Sequence, residues 1–271
     1  MTGWIALDVD GTITVNHHDI IPKKVAMYLK SLHLKGWKFV FLTGRSRVLA
    51  KKILSSLEFP FFFAPQNGAT LFESPSQKKI FGRYLSKNAL SYLEKTSEQL
   101  DCTMIVYSGV DQRCYWKALN YRTQVKSLPM IQRQIEEDLL PFAQMNDEQF
   151  SLVEFVGYFD PLAKLCARLK KDGILQSSLI QHPFDPNYYL LLVTDKDVNK
   201  GSALRELFKR KGRGGSVIAA GNDDNDLSML QEADIKIVMA DAPQHVLKEA
   251  DFIAPSAQTC GIIQALKKIV E

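Results

Sequence analysis

The stretch GWIALDVDGT, residues 3–12, decides the fold. Its apolar residues run on without the alternation of a half-buried strand, which is the pattern of a strand covered on both faces in a parallel sheet. It ends on two carboxylates at i and i+2, Asp8 and Asp10, followed by Gly11 and Thr12. A carboxylate pair at an apolar strand end is costly unless a cation or strong donors stand nearby. The strand therefore implies partners elsewhere in the chain.

Working outward, IPKKVAMYLKSLHLKG (21–36) puts Val25, Tyr28, Leu29 and Leu32 on one helical face, with Gly36 to end it. WKFVFLTGR is the next strand. SRVLAKKILSSL follows, with Ser46 as N-cap and Leu49, Ile53 and Leu57 on one stripe, and FPFFFAP (59–65) is a third, buried strand with its flanks. The last third repeats the alternation: KGSALRELFKRKG (helix), SVIAAG (strand), LSMLQEA (short helix), IKIVMA (strand), APQHVLKEA (helix), DFIAP (strand) and GIIQALKKIV (helix). This is an α/β fold, a doubly wound parallel sheet with helices on its faces.

Residues 84–192 read differently. Strands pair in twos, TMIVYSG with CYWKAL and SLIQHPF with YYLLLVT, around two helices, MIQRQIEEDLLPFA and PLAKLCARLKKDG. In the second helix Leu162, Leu165, Cys166 and Leu169 follow the helical period, which makes Cys166 a core residue. The expected organisation is a core of residues 1–83 and 193–271 with an α+β module, 84–192, inserted into it.

Bulk properties narrow the class. Of 271 residues 46% are hydrophobic and 24% charged, the profile of a soluble globular protein. A net charge of +4, from 34 Lys and Arg against 30 Asp and Glu, gives no case for nucleic-acid binding. The four cysteines form no C-x-x-C pair, which fits a reducing, cytoplasmic setting better than a disulfide framework. The first residues lack the basic-then-apolar pattern of a secretion signal, and no apolar run approaches the ~18 residues of a membrane span. Neither a membrane nor a nucleic acid is expected as a partner, and the oligomeric state is not legible.

In open parallel sheets ligands bind where strands end. Four polar groups stand at four such ends: Asp8–Thr12, then Thr43, Gly44 and Arg45, then Asn67 and Gly68, and the cluster GNDDND (221–226). The last, alone, reads as an acidic turn or cap. Together with Asp8 it reads as one side of a hard oxygen site for Mg²⁺. His17 and His18 are expected in a solvated flap, and His182 and His245 have no partner at ligand spacing.

At this point the sequence resembles the haloacid dehalogenase superfamily. DVDGT is similar to its first signature, Asp-x-Asp-x-Thr, FVFLTGR to its second motif, NKGSAL to its third and GNDDND to its acidic fourth, in the family's order. The tail IKIVMADAPQHVLKEADFIAP resembles that of Cof-like, class IIB members, which carry a large α+β cap (C2B type) where this chain has its insertion. The resemblance implies a Rossmann-like core and a Mg²⁺-dependent phosphatase acting on a small phosphorylated metabolite, a sugar phosphate or phosphorylated organic acid. In that scheme Asp8 is the nucleophile, forming an aspartyl-phosphate, and Asp10 the general acid and base. Thr43 and Lys200 hold the phosphoryl group, and the cap excludes water. Gly11, Thr12, Gly44, Arg45, Asn67 and Gly68 belong to the substrate side. The metal ligands are expected among Asp8, Asp10, Asn222, Asp223 and Asp226.

The chain departs from the pattern at Asn222, where Gly-Asp is usual, at Asp241, where an asparagine is expected, and at Cys260, where an aspartate is common. Two alternatives stay open: a phosphosugar mutase of the phosphomannomutase type, and a metal- and phosphate-binding regulator with weakened catalysis, the latter suggested by Asn222.

Overall fold

The computed structural model describes residues 2–15, 20–109, 113–119, 138–147, 149–182 and 185–270. The chain divides into two units: residues 1–45, 50–81 and 199–271, and residues 46–49 and 82–198.

In the first unit β1 (Trp4–Asp8) is followed by α1 (Lys23–Leu34), β2 (Lys38–Leu42), α2 (Arg47–Leu54), β3 (Phe61–Ala64), β4 (Thr70–Ser74) and β5 (Lys78–Gly82). The second unit contributes β6 (Leu85–Ser86), α3 (Lys87–Ser97), β7 (Cys102–Ser108), β8 (Arg113–Ala118), β9 (Asp138–Pro141), β10 (Gln149–Gly157), α4 (Phe159–Asp172), β11 (Leu175–Gln181) and β12 (Tyr189–Asp195). The first unit then resumes with α5 (Lys200–Lys211), β13 (Val217–Gly221), α6 (Leu227–Leu230), β14 (Ile235–Met239), α7 (Gln244–Leu247), β15 (Phe252–Ala254) and α8 (Gly261–Val270).

Its sheet has the order β15-β14-β13-β1-β2-β3-β4-β5. From β15 to β3 the pairings are parallel, and β4 returns antiparallel to β3. β1 sits between β2 and β13, so successive strands wind away from it in both directions. That junction is the topological switch point, where the connections part and leave a crevice at the strands' carboxyl ends. Side chains alternate across the sheet: Ile5, Leu7, Phe39 and Phe41 enter one apolar core with residues of α1, α2 and α8, while Trp4, Ala6, Val40 and Leu42 enter another with residues of α5 and α6. Both faces are covered, which is why these strands carry unbroken apolar runs.

The second unit holds its own sheet, β11-β12-β10-β7-β8-β9, with β6 paired to β10. Its pairings are antiparallel except β8 with β9. Leu90 and Leu93 of α3 pack with Leu162, Leu165, Cys166 and Leu169 of α4 against Met104, Val106, Val153 and Phe155. Cys166 is buried there beside the Ser177 hydroxyl.

Three expectations need correction. The segment MIQRQIEEDLLPFA is not a helix over its described part: Asp138–Pro141 is strand β9 and Phe142–Gln144 a single 3₁₀ turn, while 130–137 lie outside the described residues. Pro141 opposes helix continuation there, and pairing with β8 uses the backbone groups instead. The return to the core comes at 199 rather than 193: β12 stays paired with β10 through Val193 and with β11 through Asp195. Strands β4 and β5 went unassigned in the sequence because each is short with weak patterning, β5 at the sheet's edge and β4 between it and β3. His17 and His18 lie outside the described residues. Among those described, no helix is long and apolar enough to cross a membrane.

Candidate active site

The first unit gathers its polar strand ends around Asp8, the last residue of β1. Beyond it the chain turns tightly: the amides of Ile13 and Thr14 both donate to the Val9 carbonyl, at 3.1 and 3.0 Å. Gly11 takes a positive φ of 71° in that turn, which a side chain would resist. The turn brings Thr12 back so that its hydroxyl donates to Asp8 Oδ2 at 3.2 Å.

Asp8 is only 4% exposed, and its principal counter-charge comes from 192 residues away. Lys200, fully buried at the first turn of α5, donates from Nζ to Asp8 Oδ1 and to Asp226 Oδ1, both at 2.6 Å. Burial alone would discharge this lysine, but the Asp226 and Asp8 carboxylates outweigh it and raise its pKa. Burial raises the Asp8 carboxyl well above the usual range, Asp226 adds to this, and Lys200 opposes it.

Local sequence explains how Lys200 arrives. Asn199 caps α5, accepting from the Ser202 amide at 2.8 Å, while its own amide donates to the Ser202 hydroxyl at 2.9 Å. Gly201 lets α5 approach the acidic loop, since a Cβ there would lie 2.2 Å from the Ser228 carbonyl oxygen. Gly221 does the same at the end of β13, where a Cβ would meet Asp226 Cγ at 2.4 Å.

The acidic loop folds on itself. Asp226 Oδ2 accepts from the amides of Asn222 at 2.8 Å and Asp223 at 3.0 Å, so with Lys200 on the other oxygen both its oxygens are engaged. Asp223 accepts from the Asp224 amide at 2.7 Å as an N-cap, and burial pushes its carboxyl up to about 6. The residue that leans toward Asp8 is Asn222. One terminal atom of its amide lies 2.8 Å from the main-chain oxygen of Asp10 and 3.2 Å from Asp8 Oδ2.

Asp10 points another way. Its carboxylate sits in the fork of Arg45, with Nε 2.9 Å from each oxygen and Nη2 2.5 Å from Oδ1. Thr43, just past β2, donates to Asp10 Oδ2 at 3.4 Å and accepts from the Arg45 amide at 3.1 Å. Asn67 and Gly68 follow β3 with φ values of 56° and 95°, and Asn67 accepts from the Asn225 side chain at 3.3 Å.

Thus Asp8, Asp10, Thr12, Thr43, Arg45, Lys200, Asn222 and Asp226 are linked by direct contacts, and Asn67 joins through Asn225. Gly44 contributes backbone between Thr43 and Arg45. The metal set departs from the expectation. Among the described residues no three of His, Cys, Asp and Glu converge as a metal cage. The polar atoms facing one another belong to one carboxylate, one main-chain carbonyl and the end of one side-chain amide, while Asp223 and Asp226 serve the loop and Lys200. Sequence reading passed over Asn225, which carries no charge to mark it; His245, read as without a partner at ligand spacing, has its Nε2 beside the Asp224 carboxylate.

Residues 5–266 match the haloacid dehalogenase-like hydrolase family. The chain belongs to it. YxeH of Bacillus subtilis is 25% identical over 274 residues, covering 98% of this chain and 97% of that protein. A phosphoglycolate phosphatase of Staphylothermus marinus is 22% identical over 272 residues, 98% of this chain and 97% of that one. Among solved structures, a haloacid dehalogenase-like hydrolase from B. subtilis superposes with a TM-score of 0.81 at 18% identity, covering 99% of this chain and all of that one. A sugar phosphatase of superfamily subclass IIB gives 0.77 at 18% identity, covering 99% of each chain. Those likenesses show that the chain shares their fold.

Proposed function

We propose that this Cof-like hydrolase is a Mg²⁺-dependent phosphatase that cleaves a small phosphomonoester, a sugar phosphate or phosphorylated organic acid, through an aspartyl-phosphate on Asp8. The observation that carries this reading is Asp8 itself, a buried carboxylate held by Lys200 and Thr12 at the switch point of the sheet, with a second carboxylate two residues on.

The donor set fits Mg²⁺. Asp8 Oδ2, the Asp10 carbonyl and the Asn222 amide oxygen are hard donors. The end of the Asn222 amide lies within hydrogen-bond distance of the other two groups, and the three would hold the ion together. When bound there, the ion neutralises the repulsion between Asp8 and an anionic phosphoryl group.

The chain's own residues do the rest. Lys200 fixes Asp8 in one orientation, and an Asp8 oxygen forms the new bond to phosphorus as the bond to the leaving oxygen breaks. Asp10, released from Arg45 and protonated, gives its proton to that oxygen. It then takes a proton from the water that attacks the aspartyl-phosphate, returning Asp8 and releasing inorganic phosphate. Arg45 and Thr43 stand where the phosphoryl oxygens need donors. The phosphoglycolate and sugar phosphatases among the relatives support the two substrate classes named. The second unit acts as the cap in this reading.

Asp8→Asn should abolish Mg²⁺-dependent phosphate release from a panel of sugar and organic-acid phosphates while leaving the circular dichroism spectrum unchanged. Turnover retained by a folded Asp8→Asn protein would remove Asp8 as nucleophile.

A further inference from the structure

Among the described residues, Asn222 is the uncharged side chain whose end reaches both strand-end aspartates, and its amide can present either of two chemically opposite atoms there. The atom it presents lies 2.8 Å from the Asp10 carbonyl and 3.2 Å from Asp8 Oδ2, with the Thr12 hydroxyl 3.5 Å away. Toward those two acceptors an amide nitrogen makes two hydrogen bonds, whereas an amide oxygen makes none with them, meets two like dipoles, and accepts only from the more distant Thr12 hydroxyl. With protein alone around it, hydrogen bonding therefore turns the nitrogen inward. With a divalent cation bound by the three groups the preference reverses, because the amide nitrogen's lone pair is delocalised into the carbonyl and cannot ligate, whereas the carbonyl oxygen can.

We propose that Asn222 is a two-position switch: its amide nitrogen bridges Asp8 and the Asp10 carbonyl while the ion is away, and its carbonyl oxygen turns to the ion when it binds. This rests on the metal reading above. The distinctive consequence belongs to the ion-free protein. An aspartate at 222 would be a better ligand but could offer no donor when the ion is absent, leaving another negative charge against Asp8 and the Asp10 carbonyl. Asparagine gives up metal affinity and gains an ion-free site with its oxygens satisfied. The other groups around Asp8 are already committed, Lys200 to Asp8 and Asp226, and Arg45 to Asp10, so no side chain but Asn222 is left to make this bridge among the contacts described.

The test compares chelator-treated wild type with Asn222→Asp and Asn222→Ala. Mg²⁺ is titrated calorimetrically, thermal unfolding is followed with and without the ion, and the Asn222 side-chain amide is observed by ¹⁵N NMR. Expected are Mg²⁺ binding about tenfold tighter in Asn222→Asp, a lower ion-free midpoint in both variants than in wild type, and an Asn222 amide signal that shifts on Mg²⁺ addition. Equal Mg²⁺ affinity in wild type and Asn222→Asp, or an ion-free Asn222→Asp as stable as wild type, overturns the switch. If Mg²⁺-dependent phosphate release persists beside either result, the phosphatase reading survives and only the switch falls. If no variant binds Mg²⁺ and release needs none, the metal reading falls and takes the switch with it.

Discussion

At the scale of single residues, the site turns on one lysine shared by two buried carboxylates. Lys200 lies between Asp8 and Asp226 with almost no access to water, so its charge is what makes their burial tolerable. Removing it leaves two carboxylates uncompensated in a low-dielectric site. Lys200→Met should therefore destabilise the fold by about 3–5 kcal/mol, measured by urea denaturation at neutral pH. Adding Asp226→Asn to that variant should recover part of the loss, because one orphaned charge is then gone. A Lys200→Met protein as stable as wild type would mean that the lysine serves substrate alone. The same geometry separates residues that the sequence had merged: Asp226 holds Lys200 and the loop amides, while Asn222 faces the Asp8 carboxylate.

At the scale of elements, β13 delivers the acidic loop, and its start is tied down by Asp234. The Arg213 guanidinium donates to Asp234 Oδ1 at 2.6 Å and the Val217 amide to Oδ2 at 2.8 Å, and these bonds, Arg213 first, hold its pKa below 3.8. Because the folded value is depressed, the stabilisation is complete above the ordinary carboxylate value and is lost as the pH falls through the lower folded one. Half-exposure keeps the effect under about 1 kcal/mol. The urea-midpoint difference between wild type and Asp234→Asn should be clear at pH 7 and shrink toward pH 3. A gap that stays constant over that range would show that the carboxylate's charge is not what anchors β13. The elements also show where periodicity failed. The expected helix ran through Leu140, yet Asp138–Pro141, the described end of that segment, pairs with β8, since short apolar runs suit either structure and tertiary pairing arbitrates.

For the whole molecule, each unit has its own cores, and every residue of the Asp8 site belongs to the first. Phe155, fully buried in the second unit, can be cut to alanine without touching that site. Phe155→Ala should lose about 3–5 kcal/mol, with faster hydrogen exchange confined to residues 85–195. Its Mg²⁺ affinity in the cold, where it remains folded, should match wild type, since sites without shared partners behave additively. A tenfold loss of affinity would reveal coupling between the units.

The sequence by itself determined the wound sheet and the acid and basic residues at its strand ends. Two-sided burial demands unbroken apolar runs such as WIALD and VIAAG, and charges are not tolerated at the ends of such runs without a purpose. Only the tertiary structure decided which oxygen serves which partner. Asp226 to Lys200, Asp10 to Arg45 and Asn222 to Asp8 are contacts between residues 26 to 214 positions apart or on different strands, with no periodic signature in the chain. They follow from distances of a few tenths of an ångström set by packed glycines and capped helices, which fix a donor's direction long after composition has fixed its identity.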